Sequence, residues 1–190
     1  MKRAKISIIA AAAALLATAC GRFGQVGQGK VIAYDRGAGV LTVIEDTNPS
    51  QPARPRYDKL PPAAVRVPED RGEMGPDPIP GRLLELDTEN NRALVFDGGS
   101  IKAIPYTPIE QRGGVAPGDR EAAKCPIVDR EHKTIRVYAR RQARLVVFTV
   151  ADEYLALPED AWREGEEVRY YYKQPGRALR LMNVTRAEEK

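Results

Sequence analysis

The stretch Lys30-Val31-Ile32-Ala33-Tyr34-Asp35, Arg36-Gly37-Ala38-Gly39, Val40-Leu41-Thr42-Val43-Ile44-Glu45 decides the fold class. Branched and aromatic side chains alternate with polar or small ones on both sides of a glycine-bearing turn. Two half-buried antiparallel strands joined as a hairpin read this way. The period of two continues along the chain, with turn residues roughly every eight to twelve positions. Further strands are expected at residues 63–67, 82–87, 92–96, 101–106, 125–128, 134–138, 144–150, 168–173 and 178–184. Thr88-Glu89-Asn90-Asn91 and Asp97-Gly98-Gly99-Ser100 suit tight hairpins, because Asn and Gly adopt positive φ at low cost. Only residues 158–163 and 117–123 read as single helical turns. The expected class is all-β.

The 190 residues are 43% apolar and 29% charged, enough for one ordinary domain or two small ones and too apolar for a disordered chain. Two cysteines and one histidine exclude a disulfide-stapled scaffold and a Cys/His zinc site. Nine of the 15 prolines fall between Pro49 and Pro80. Proline cannot donate to a strand ladder, so residues 46–81 read as a long loop broken by one short strand.

An internal duplication is one reading of the pattern. Tyr34-Asp35-Arg36 is matched by Val128-Asp129-Arg130, and Val67-Pro68-Glu69-Asp70 by Leu157-Pro158-Glu159-Asp160, in the same order. The alternative is that short hairpin motifs resemble one another. The expected body is two small antiparallel modules, barrel-like (OB-like) or sandwich-like. Residues 30–112 form the first, 113–124 a linker and 125–186 the second.

The N-terminus carries the strongest signal for location. Lys2, Arg3 and Lys5 precede an apolar run from Ile6 to Leu16, and small residues lead to Cys20. That order is a signal peptide over residues 1–19, too short to span a bilayer. Its end, Leu16-Ala17-Thr18-Ala19-Cys20, resembles the lipobox of bacterial lipoproteins, with Ala17 where Leu is usual. The resemblance implies that Cys20 is the site of lipid attachment, with the chain facing the periplasm from the cell envelope. Gly21 after the anchor, rather than an acid, favours the outer over the inner membrane. Residues 20–29, with four glycines, read as a flexible tether. Without residues 1–19 the chain carries 27 basic and 26 acidic residues, so nucleic acid is not an expected partner.

Two further resemblances concern the body. Thr134–Tyr138, Leu145–Val150 and the Glu164-Gly165-Glu166-Glu167-Val168 hairpin start are similar to the small barrels of exported bacterial proteins. From Gly29-Lys30-Val31 through Glu73-Met74-Gly75-Pro76 to Asp152-Glu153-Tyr154, the chain resembles a family of uncharacterised lipoproteins from sulfate-reducing bacteria. That family implies a location and no activity.

Catalytic material is sparse. His132 stands in a charged turn, where it reads as an exposed residue rather than a general base. Cys125, ahead of Pro126-Ile127-Val128, reads as a buried, unreactive thiol. Asp70, Glu73 and Asp77, and the group Glu159, Asp160, Glu164, Glu166 and Glu167, lack the spacing of a calcium loop and read as solvated acids. No glycine-rich phosphate loop or Gly-x-Ser-x-Gly elbow occurs. No catalytic residue, metal or cofactor is therefore expected.

The candidates that remain are for binding. Arg136, Arg140, Arg141 and Arg144 fall within nine residues, and guanidinium groups fork onto phosphates and carboxylates. Period two places Arg136, Tyr138 and Arg140 on one face, with Ile135 and Val137 divided between the inside and the turn. Tyr170 and Tyr172 share a face opposite Tyr171, a candidate contact surface. The expectation is an envelope-anchored, non-catalytic binding or accessory module with an envelope protein partner. The alternatives are a binder of glycan or anionic lipid headgroups and, last, a hydrolase.

Overall fold

The hairpin that sets the class forms as read: β1 (Gln25–Asp35) pairs antiparallel with β2 (Val40–Glu45) through the turn at residues 36–39. The structure, a computed structural model, describes residues 23–52 and 54–187, so the expected signal segment and Cys20 lie outside the described residues. The remaining strands are β3 (Ala63–Arg66), β4 (Leu83–Asp87), β5 (Arg92–Asp97), β6 (Ser100–Pro105), β7 (Thr107–Gly113), β8 (Ile127–Asp129), β9 (Thr134–Ala139), β10 (Arg144–Thr149), β11 (Glu167–Gln174) and β12 (Arg177–Asn183). Among the described residues, two one-turn helices, α1 (Asp152–Leu155) and α2 (Val184–Ala187), complete an all-β fold. Every expected strand is present. The unexpected one is β7, whose seven residues are all exposed; a strand with no buried side has no alternation to read.

The topology differs from two modules in series. A closed barrel runs β1-β11-β12-β3-β2, so both ends of the chain build it. A three-stranded sheet, β4-β5-β6, and a four-stranded sheet, β7-β10-β9-β8, are inserted between β3 and β11. Residues 113–124 are not a linker between modules. Val115 and Ala122 from that stretch pack with Tyr138 and Leu145 over the outer face of β9 and β10. The matched Asp35 and Asp129 each accept a backbone N–H three residues on, from Ala38 and His132, at 2.9 Å. The repeated motif thus encodes a common turn, in two units of different topology.

Three apolar clusters stack these layers. Val31, Leu41, Val43, Val65, Val168, Tyr170 and Leu181 fill the barrel. Leu83, Val95, Ile104, Val137, Val146, Phe148 and Trp162 fill the space between the two inserted sheets. Ile32, Ile44, Tyr57 and Leu84 join barrel to insertion. Both Ile135 and Val137 are core residues, because β9 keeps strict alternation to Ala139. Five consecutive residues of β1 are buried, since the insertion covers its outer face and a register shift between Val31 and Ala33 turns successive side chains to both cores.

The expected tether is structured from Gln25 onward. Gln25 to Lys30 pair in register with Tyr172 to Glu167 of β11. Alternate glycines resemble a linker in sequence, but here they admit close neighbours. A Cβ on Gly27 would stand 2.4 Å from the Tyr170 ring, and one on Gly29 would stand 2.2 Å from the Ile44 carbonyl oxygen.

The two chain passages between barrel and insertion cross β1 together. Gly81 N donates to Val31 O at 3.0 Å, and Val31 N donates to Glu166 O at 3.0 Å. Leu83 N donates to Arg163 O at 3.0 Å, and Gly165 N to Leu83 O at 3.2 Å. A Cβ on Gly165 would meet Val31 O at 2.4 Å and Gly81 O at 2.6 Å, both backbone atoms. Gly165→Ala is therefore expected to cost about 3 kcal/mol, the upper end for overpacking. Gly113→Ala, with nothing within 4 Å, should stay within about 0.5 kcal/mol. Denaturant midpoints of the two variants check this.

Candidate functional site

The passages that cross β1 leave a cleft of about 1100 Å³ between barrel and insertion. β1 contributes Gln28 and Lys30; β11 contributes Glu167 and Arg169; α2 contributes Arg186. From the insertion, the 3-10 turn Arg140–Gln142 between β9 and β10 brings Arg140 and Arg141. That turn closes through Ala143 in the left-handed region at φ 47°, a conformation disfavoured for a residue with a Cβ. It is held on both sides: Ala143 N donates to Arg140 O at 3.0 Å, and Val115 N donates to Ala143 O at 2.9 Å.

The carboxylates of the cleft are engaged by the protein itself. Glu164 accepts from Lys30 Nζ at 2.6 Å and from Arg140 N at 3.0 Å. Glu166 accepts from Ile79 N at 2.8 Å, Asn183 Nδ2 at 2.8 Å and Arg186 Nε at 3.0 Å. Glu167 accepts from Gln28 Nε2 and from Arg141 Nη2, the latter at 3.3 Å. Glu164, Glu166 and Glu167 are therefore not solvated acids; Glu166 is only 4% exposed. Arg141 also donates to Pro52 O at 2.8 Å and to Tyr57 Oη at 3.4 Å, bracing the proline-rich loop. Burial works against the Arg141 charge, but the neighbouring Tyr57 and Glu167 raise its pKa above the ordinary value. Burial, followed by the Glu167 charge, pushes the Tyr57 phenol above its usual range, so it stays a neutral donor and acceptor.

A side recess of about 500 Å³ shares Arg140, Glu164 and Glu166 and reaches Trp162 and Cys125. Trp162 is fully buried against Phe148, and its indole nitrogen has no acceptor among the described residues. Burial pushes the Cys125 thiol up to about 11, and it donates to Glu121 O at 3.4 Å. Among the described residues, no group of three His, Cys, Asp or Glu is placed to hold a metal ion.

Of the four arginines singled out in sequence, Arg140 and Arg141 reach the cleft. Arg136 lies on the outer face of β9 near Cys125, and Arg144 donates to Gln111 Oε1 at 2.9 Å on the far side of the sheet. His132 sits at the β8–β9 turn with its ring 2.9 Å from Asp129 Oδ2. The tyrosine surface is corrected. Tyr170 is 3% exposed inside the barrel, with its hydroxyl on Glu45 at 2.6 Å, and Tyr172 packs beside it. Barrel closure turns that face inward, so neither forms an open contact surface. Sequence reading missed Lys30, Arg169 and Arg186 as cleft residues. Each lies in a different element, and no local spacing relates them.

Lys30 is nearly fully buried with its partner, whereas the Arg36–Asp77 pair is open to solvent. Lys30→Met should cost about 3 kcal/mol by taking the Lys30 cation from the largely buried Glu164, while Arg36→Met should change stability by less than about 1 kcal/mol. Thermal or denaturant unfolding of both variants makes the comparison.

No curated protein matches the chain, and no solved structure matches it. One family model does, over residues 22–189, which takes in both barrel and insertion. The chain belongs to the DUF4881 family, a domain of unknown function.

Proposed function

We propose that this protein is a lipid-anchored module of the cell envelope that works by binding, and that its cleft takes an anionic group. The anchor reading stands on the lipobox-like residues 16–20, with Cys20 as the acylated residue and the periplasm as the side faced. The binding reading is carried by one observation: Lys30, Arg141, Arg169 and Arg186 line the cleft, and among the described residues its three lining carboxylates are each already bonded by the protein. Cations lining a cleft whose acids are already committed favour a phosphate or carboxylate over a neutral or cationic ligand. Clefts between structural units are also where ligands most often bind. A glycan or lipid headgroup bearing such groups is the ligand class that fits. The second reading, an accessory subunit for an envelope protein, is favoured by the fully exposed strand β7 at a sheet edge.

In-cell crosslinking of the acylated wild type, with mass spectrometry of what is captured, tests both. The expected result is capture of an anionic glycan or lipid, reduced roughly tenfold in an Arg141→Ser/Arg169→Ser variant. One recurrent protein, captured equally by both forms, would replace the anionic ligand with the accessory reading. Cys20→Ser is expected to release the protein from membranes; retention in the membrane fraction would remove the anchor.

A further inference from the structure

The outer surface of the barrel carries a second feature, which shares only Arg169 with the cleft. Among the described residues eight large apolar side chains are notably exposed, and four of them (Phe23, Val26, Leu179 and Met182) lie on β1, β12 or the segment just ahead of β1. Val26 is 64% exposed and stands opposite Tyr171 in the β1–β11 ladder. Tyr171 in turn stands opposite Arg180, and Arg169 opposite Met182, in the β11–β12 ladder. A register shift between Tyr171 and Tyr172 lets Leu179 and Arg180 both face outward from β12. Three adjacent strands therefore present apolar side chains interleaved with Arg169, Lys173 and Arg180. Arg180 also holds Glu73 at 2.6 Å. Apolar bodies rimmed by long cations suit the headgroup–acyl boundary of a bilayer.

The position of β1 supplies the occupant. Its pairing begins at Gln25, five residues after Cys20. Five residues span at most roughly 18 Å, less than the width of a small domain. With Cys20 acylated, the barrel stands next to the lipid, and the surface beside the chain's entry is the one just described. We propose that the outer face of β1, β11 and β12 rests on the bilayer surface. Phe23, Val26, Leu179 and Met182 enter the headgroup region, with Arg169, Lys173 and Arg180 on anionic lipid phosphates. This orientation rests on acylation of Cys20. It also sets the Arg169 side of the cleft toward the membrane.

The test uses the full acylated chain in a Cys125→Ser background, reconstituted into phosphatidylethanolamine–phosphatidylglycerol vesicles. Single Val26→Cys, Leu179→Cys and Met182→Cys variants carry an environment-sensitive fluorophore; Ile127→Cys, exposed on the insertion, is the control. The expected result is several-fold stronger quenching by spin-labelled lipid at the three barrel positions than at position 127. Acyl mass on Cys20 with equal, water-like signals at all four positions overturns the orientation alone. Absence of acyl mass on Cys20 overturns the anchor and the orientation together.

Discussion

Val31 is the residue on which the architecture closes. Its carbonyl accepts from Gly81, where the chain leaves the barrel for the insertion, and its N–H donates to Glu166, where the chain returns. One backbone unit of β1 therefore binds both passages, and it can do so only because Gly81 and Gly165 carry no Cβ. The buried Glu166 carboxylate reinforces the crossing by accepting from Ile79 before it and from Asn183 and Arg186 at the chain's end. Removing a carboxylate from water is unfavourable unless its lone pairs are matched, and here three donors from two distant segments match them.

The cleft follows from that crossing. Because the insertion leaves and re-enters at one point, it leans against the barrel through Ile32, Ile44, Tyr57 and Leu84 and leaves an open angle beside them. Three closely spaced acids of the returning passage and β11, Glu164, Glu166 and Glu167, fall on that angle and bind cations from both units. The acids thus fix the cations of the cleft: they hold Lys30, Arg141 and Arg186 in place along its walls. The gathering of cations in the cleft follows from where chain segments meet, not from composition, since the chain beyond residue 19 is close to neutral.

The arginine cluster shows how much of this site was legible. Alternation correctly grouped Arg136, Tyr138 and Arg140 on one face of β9, with Arg140 beside the Tyr138 ring at 5.8 Å. It could not tell that the turn after β9 faces the barrel while Arg144, four residues on, faces Gln111. The tyrosines show the same limit from the other side. Tyr170 and Tyr172 do share a face, but only closure of β11 against β1 and β12 makes that face the interior. The glycines ahead of Lys30 carried two physical meanings, freedom and close approach, and a strand from the far end of the chain selects the second.

By itself the sequence determined what short-range physics controls: the all-β class, the strands with one buried side, and the hairpin turns where Asp, Asn and Gly relieve backbone constraint. It also determined the N-terminal charge and apolar pattern. Tertiary structure alone decided that β1 pairs with β11 across more than half the chain, that the middle is an insertion, and that cations from four separate elements share one cleft. Alternation and turn chemistry act between residues a few positions apart, whereas strand order, barrel closure and long-range ion pairs depend on which surfaces bury one another. A strand's pattern states that it has an inside; it does not state whose.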